Sequence, residues 1–228
     1  MTNKKPTISV IIRTYNSSQF VCKAVDSALK QTLDKKLYEI IVVDDGSKDN
    51  TLQILQNTYG KKIRVVKSKH RGPASISEFG ILKSKGEYFT FLDSDDEFLP
   101  DILKKMLEVL KKDSIIDFAY CDYFEKIGPK KKIVSLKSNI FNSIATAVMF
   151  RKKTFKKINF HTPGMIFGEY DRLIRLLKNN KIGKHIPVPL YVYIRTKGSL
   201  TSNSAWVKKG IDQLREKYGN IVEKIRKY

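Results

Sequence analysis

Three short acidic stretches hold the side chains of this sequence best suited to chemistry: Asp44-Asp45-Gly46-Ser47, Asp93-Ser94-Asp95-Asp96-Glu97 and Glu169-Tyr170-Asp171. In the second, four acids fall within five positions, directly behind the apolar run "EYFTFL" (87–92). Like charges this close repel by roughly a kcal/mol or more per pair unless a cation sits among them. The surrounding chain is basic, with 44 Lys and Arg against 23 Asp and Glu, so the concentration is not compositional. A bound Mg²⁺ or Mn²⁺ fits such a cluster. These hard ions prefer oxygen ligands and often take only one or two carboxylates from the protein, phosphates supplying the rest. The competing reading is an acidic loop whose carboxylates cap the next helix.

The flanking pattern says what must position these acids. Apolar, β-branched runs at 7–15, 38–47, 63–68 and 87–95 read as strands, with helical spacing or punctuation between them. Val21, Ala24, Val25, Ala28 and Leu29 recur as a helix face, behind Asn16, Ser17 and Ser18 as a cap. Residues 50–60 suit a helix closed by Gly60, 73–86 one opened by Pro73 and closed by Gly86, and 99–112 one with Pro100 near its start. Near-continuous apolar strands alternating with helices predict an α/β fold, a mostly parallel sheet covered on both faces. Ligands of such sheets bind beyond the carboxyl ends of the strands, where the first two acidic stretches fall. After residue 112 the pattern loosens: strands over 116–126 and 145–153 flank a lysine-rich turn at 128–132. A helix over 168–180 and a proline-broken strand over 185–196 follow, then an amphipathic helix over 205–228.

At 228 residues the chain suits one domain. The expected division is a half over about 1–112 that carries the first two acidic stretches, a half over about 113–204 that carries the third, and the C-terminal helix over 205–228. The N-terminus reads as a strand rather than a leader, and no stretch approaches the roughly 18 apolar residues of a membrane span. Cys22 and Cys121 have no paired spacing, which fits reduced thiols in a cytoplasmic setting. A net charge of +21 points to an anionic partner. The lysines are dispersed, without a recognition helix, zinc ligands or an RNA-binding aromatic motif, so specific nucleic-acid binding is not expected. A nucleotidyltransferase would carry a glycine-rich basic loop after the first strand, where this chain has "RTYNSSQF".

"SVIIRTYNSSQFVCKAVDSALKQT", "EIIVVDDGSKDNT" and "GEYFTFLDSDDEFLPDIL" occur in the order and spacing of three blocks of a known family. Over roughly residues 7–200 the chain resembles the family 2 glycosyltransferases, which have a GT-A fold. The resemblance implies inverting, metal-dependent transfer of a sugar from a nucleoside-diphosphate sugar, a UDP-sugar by default, to a saccharide or lipid-linked acceptor. It makes the half over about 1–112 nucleotide-binding and the half over about 113–204 acceptor-side. It also makes Asp93-Ser94-Asp95 the family's DXD motif, with Asp95 the direct Mn²⁺ or Mg²⁺ ligand and Asp93 touching ribose and metal shell. One of Asp44 and Asp45 would meet the base, Thr14 and Tyr15 would line its pocket, and Arg13 would meet a phosphate. "GEYDRLIRLL" matches the motif carrying the catalytic base, which makes Glu169 the base and Asp171 the runner-up. Gly168 replaces that motif's first acid.

Two further departures bear on donor contacts. Ser77 and Glu78 stand where the family has Arg and Asn, leaving His70 or Arg71 to supply a contact. Ile194 and Thr196 stand where it has Arg and His, leaving Arg195 or Lys197 to reach the diphosphate. A silent nucleotide-binding relative acting inside a glycan-assembly complex is the alternative these departures keep open. The last helix sets an apolar stripe beside Lys208, Lys209, Arg215, Lys217, Lys224, Arg226 and Lys227. It could lie on the anionic inner face of the cell membrane, or pack across the domain. His161 and His185 have no partners at metal spacing, and Trp206 reads as packing or a lid.

Overall fold

The parity of side chains along two adjacent strands decides where the charged groups of this protein meet. The protein is described here by a computed structural model covering residues 5–70, 72–137, 139–142, 147–156, 158–160, 162–196 and 203–224. Its strands are β1 (Ile8–Thr14), β2 (Tyr38–Asp44), β3 (Arg64–Lys67), β4 (Tyr88–Asp93), β5 (Glu97–Phe98), β6 (Ile116–Ile127), β7 (Lys130–Val134), β8 (Val148–Arg151) and β9 (Ile182–Arg195). They form one sheet in the order β3-β2-β1-β4-β8-β6-β9-β5, with β7 paired to β6. The β3-β2-β1-β4 run is parallel, β8 is antiparallel to its neighbours, and β6 and β9 are again parallel.

Two buried layers cover the faces. Ile8, Val10 and Ile12 of β1 pack with α1 (Val21–Leu29), α2 (Thr51–Tyr59) and α4 (Ile102–Lys112). Ile11 of β1, with Phe89 and Phe91 of β4, packs with α3 (Pro73–Lys83), α5 (Gly168–Lys178) and α6 (Ser204–Tyr218). Side chains alternate between faces, so Arg13 shares the face of Ile11 and Asp93 that of Phe91. In register, Arg13 lies opposite Asp93 and Thr14 opposite Asp44, which brings both acidic turns to one carboxyl edge.

Several boundaries differ from the sequence expectation. Helix α3 stops at Lys83, and Gly86 serves the sheet instead: an added Cβ there would lie 2.7 Å from the Ser9 nitrogen. Asn16, Ser17 and Ser18 do not cap α1. Ser17 N donates to Thr51 Oγ1 at 2.8 Å and Ser18 N to Asp49 at 3.0 Å, lacing the β1 loop to the β2 loop. The lysine-rich turn is a hairpin whose second arm is strand β7, and β9 continues through Pro187 and Pro189 by shifting register against β6. The short β5 had no periodicity to reveal it.

Arg151 is buried at the sheet's amino end, where its guanidinium donates to Leu110 O at 2.5 Å, Tyr88 Oη at 2.8 Å and Ile116 O at 3.2 Å. Replacing it with Met strands those acceptors in a dry site. Arg151→Met is expected to lose about 2–4 kcal/mol in urea-unfolding stability.

Candidate functional site

The turn after β2 is built by Asp44. Its carboxylate accepts from Gly46 N at 3.1 Å, Ser47 N at 3.0 Å and Ser47 Oγ at 2.5 Å. Gly46 takes the left-handed conformation (φ 82°) that this turn requires. Asp45 faces the β3–α3 loop, accepting from Gly72 N at 2.9 Å and approaching His70 Nδ1 at 3.2 Å. Above it, the His70 ring lies 4.4 Å from that of Tyr15, which is 41% exposed. Thr14 is buried, and its Oγ1 has no hydrogen-bond partner among the described residues. Aromatic surface and a carboxylate thus stand together at the ends of β1 and β2, groups suited to a planar heterocycle with N–H groups, while Thr14 lies level with Asp44 on the other face of the sheet. Asp49 accepts from Thr51 N at 3.0 Å and Ser18 N at 3.0 Å, tying the start of α2 to the β1 loop, while the helix's N-cap, Asn50, makes no side-chain cap bond.

The second acidic turn splits into two roles. Asp93 receives Arg13 Nε at 2.9 Å and Nη2 at 2.5 Å, while Arg13 Nη1 donates to Ser77 Oγ at 3.0 Å. Arg13 therefore braces the acidic turn rather than standing free, and Ser77 holds it where the resemblance led us to look for an arginine. Asp95 is half-buried, and no ion pair joins it to any described residue. Burial first, and then the Asp93 charge, push its carboxyl up to about 6. This is the electrostatic deficit that a divalent cation would relieve. Asp96 turns away: buried, it accepts from Tyr191 Oη at 2.5 Å and Ile194 N at 2.8 Å, pinning β9 to the turn. Burial, followed by its two acidic neighbours, raises its carboxyl well above the ordinary range. Ser94 Oγ donates to Ser17 Oγ at 2.8 Å and so belongs to the loop lacing.

Glu169, in the first turn of α5, lies across from these groups. Burial raises its carboxyl, against the opposing pull of Arg13 and Arg172. Arg172 is buried against aromatic rings, 4.1 Å from the Phe160 centroid and 5.4 Å from that of Phe91, and its Nη1 has no partner among the described residues. Burial, then repulsion from Arg13, lowers its guanidinium to about 9. Sequence reasoning passed over Arg172, although an arginine three positions beyond Glu169 on an otherwise apolar helix face was a legible signal. Together Arg13, Asp93, Glu169 and Arg172 make a layer of alternating charge at the sheet edge. Among the described residues no three His, Cys, Asp or Glu side chains converge as a metal cage. Asp93 and Asp95 nonetheless match the one or two carboxylates that Mg²⁺ or Mn²⁺ takes when phosphates complete its shell.

Asp171 has a different surrounding from Glu169. Fully buried, it accepts from Tyr218 Oη at 2.6 Å, Lys217 Nζ at 2.7 Å, Thr162 Oγ1 at 2.8 Å and Arg175 Nε at 2.9 Å. Burial alone would raise its carboxyl, but the bonds from Lys217, Tyr218 and Thr162 prevail and hold it below the usual range. A depressed carboxyl contributes stability above its unfolded pKa and loses it as pH falls through the folded one. Asp171→Asn is therefore expected to lose about 2–3 kcal/mol at neutral pH, with the gap to the native protein closing in strong acid, read by urea unfolding across pH.

The same contacts answer for the C-terminal helix. Trp206, Val207, Ile211, Leu214 and Tyr218 pack on the α5 layer, with Trp206 edge-on to Phe167 at 5.2 Å. The apolar stripe is thus turned inward, and the packing reading replaces the membrane one for α6. Ile225, Arg226 and Lys227 lie outside the described residues, as do Arg71, His161 and Lys197. Arg195, at the end of β9, stands 3.8 Å from the buried Glu125. His185, without partners by spacing, meets Asp122 at 2.7 Å across the β6–β9 pair. No helix among the described residues is long and apolar enough to cross a membrane.

Comparison with known proteins agrees with this arrangement. The family model "Glycosyl transferase family 2" matches residues 9–171. An uncharacterized glycosyltransferase of Haemophilus influenzae is 28% identical over 97% of this chain and 80% of its own length. The hyaluronan synthase of Pasteurella multocida is 35% identical over 52% of the chain, which covers 12% of that protein. The chain spans 36% of a Rickettsia typhi glycosyltransferase that is 40% identical over the matched stretch. Among solved structures, Staphylococcus aureus TarS 1–349 with UDP-GlcNAc superposes with a TM-score of 0.75 at 23% identity, over 92% of this chain and 65% of that one. The Pyrobaculum calidifontis mannosyltransferase PcManGT, with GDP-Man and Mn²⁺, gives 0.74 at 14%, over 98% and 66%. The sheet, the three acidic stretches at its carboxyl edge and the match over residues 9–171 agree: the chain belongs to glycosyltransferase family 2 and has its GT-A fold.

Proposed function

We propose that this chain catalyses inverting transfer of a sugar from a nucleoside-diphosphate sugar, with a UDP-sugar as the first choice, to a hydroxyl of a saccharide or lipid-linked acceptor. The observation that carries the reading is the placement of Asp95 and Asp93 at the end of β4, facing Glu169 across the Arg13 layer. Tyr15, His70 and Asp45 would border the base, and Asp45, which stands beside the Tyr15–His70 pair, is the acid that would meet it, Asp44 being the one that builds the turn. Arg195 at the end of β9, and by sequence position Arg71 and Lys197, are the basic groups that would reach the diphosphate. A divalent ion bound by Asp95, with Asp93 beside it, would neutralise charge developing on the departing diphosphate.

The chain's own contribution is proton transfer and orientation. Glu169 accepts the proton of the acceptor hydroxyl as that oxygen bonds to the anomeric carbon, while the carbon's bond to the phosphate oxygen breaks with its electron pair leaving on the diphosphate. Attack opposite the leaving group inverts the centre. Arg172 and Arg13 keep Glu169 from rising further and so favour the carboxylate that must act. Asp171, saturated by four donors, is suited to fixing α5 and not to accepting a proton. The test is incubation with UDP-GlcNAc, UDP-glucose and GDP-mannose in Mn²⁺, with and without saccharide acceptors, following release of nucleoside diphosphate. Metal-dependent release from one donor supports the reading. Metal-dependent nucleotide binding without release from any donor would instead favour a silent partner in a glycan-assembly complex.

A further inference from the structure

The β6–β7 hairpin has no role in the site, yet it stands beside it. Ala119 of β6 is level with Met149 of β8, itself level with Thr90 of β4, so residues 123–127 extend past the level of Asp93. The hairpin thus projects beyond the same carboxyl edge that carries the acidic turns. Its turn is Gly128-Pro129, with Gly128 at φ 56°. Lys126, Lys130, Lys131 and Lys132 crowd its tip, and Lys137 follows. The single acid between 123 and 137 is Glu125, which is buried and meets Lys132 at 2.9 Å and Arg195 at 3.8 Å. The tip is therefore strongly positive with no exposed carboxylate. Between those lysines two large aliphatic side chains are turned to solvent, one on each face of the hairpin: Ile127, opposite Lys130, at 47% and Ile133, opposite Phe124, at 59% exposure.

Lysines alone on an edge strand would be explained as a guard against pairing with other chains. Exposed isoleucines work against that purpose. Basic groups alternating with unburied aliphatic ones fit a surface that is anionic at its face and apolar beneath. We propose that the β6–β7 hairpin is a membrane-docking device that meets anionic phospholipid headgroups tip first, Ile127 beside the turn entering the acyl boundary and Ile133, on the other face and further from the turn, lying at headgroup level, and that it turns the carboxyl edge toward a membrane-borne acceptor. The lipid contact stands apart from the proposed transferase activity; only the orientation of an acceptor rests on it.

The test is co-sedimentation of the full chain with phosphatidylcholine vesicles, with and without phosphatidylglycerol, at low and physiological salt. Lys126→Gln/Lys130→Gln/Lys131→Gln should weaken binding to anionic vesicles by about 100-fold, taking about fivefold per lysine near the surface. Lys61→Gln/Lys62→Gln/Lys85→Gln removes equal charge at the opposite sheet edge and should weaken it less than tenfold. Ile127→Ser/Ile133→Ser should weaken vesicle binding by at least tenfold and leave binding to soluble polyphosphate unchanged. Equal losses from the two lysine triples would overturn the proposal in favour of diffuse charge. So would isoleucine variants that bind like the native chain, which would assign the hairpin to a soluble polyanion, and so would absence of vesicle binding at low salt, which would leave the lysines as edge protection. All three readings need no sugar donor, so they stand or fall apart from catalysis.

Discussion

Glu169→Gln is expected to lower the rate of sugar transfer by about 10²–10⁴-fold while leaving metal-dependent nucleotide binding within a few-fold of the native value. The amide keeps the size of the side chain and its place in the first turn of α5 but cannot accept a proton. Unfolding would not explain such a loss. Burial raises the Glu169 carboxyl, so ionising it at neutral pH opposes folding, and stability falls as pH climbs from the unfolded toward the folded pKa. Glutamine removes that opposition, so the variant should melt no lower than the native protein. The same shift sets the acid limb of the pH–rate profile: activity is lost as pH falls through a pKa above the ordinary glutamate value. Asp171→Asn gives the contrasting pattern, lower stability with a smaller change in rate per folded molecule, because its carboxylate is held by Lys217, Tyr218, Thr162 and Arg175.

Asp95→Ala is expected to weaken Mn²⁺ binding in the presence of nucleotide by about 100-fold or more, read by the paramagnetic signal of free Mn²⁺. The argument is electrostatic. Asp95 is squeezed between burial and the Asp93 charge, and no described basic side chain pairs with it, whereas Asp93 holds Arg13 through two bonds. Removing Asp95 relieves the repulsion, so thermal stability without metal should rise as metal affinity collapses. Opposite movement of the two quantities separates a ligand from a structural acid. Asp96→Ala should do the reverse. Its carboxyl holds Tyr191 and Ile194 of β9, so its loss weakens the fold first.

The parallel sheet was legible because the first four strands are long apolar runs between helices, and their carboxyl ends fell where the acids lie. The family blocks then assigned roles that alternation could not. What stayed hidden depended on contacts distant in sequence. Nothing near Asp96 signals Tyr191, 95 positions away, so the fourth acid of the turn read as a helper and proved to be a tie to β9. Arg13 read as a phosphate contact, since no local feature shows that register sets it opposite Asp93. The apolar stripe of α6 is the same whether a membrane or α5 covers it; only the Asp171 network distinguishes the two. Conversely, the lysines of β7 hid a strand, because exposed edge residues carry no hydrophobic alternation.

The most direct test of the account is calorimetric titration of UDP, GDP and dTDP into the protein, with and without Mn²⁺. Saturable one-to-one binding of one nucleotide, strengthened by Mn²⁺, is the predicted result; it would identify the base that Tyr15, His70 and Asp45 accept and place the diphosphate at Asp95. Failure of all three nucleotides to bind at millimolar concentration with Mn²⁺ present would contradict it, leaving the acids at this sheet edge with structural roles alone.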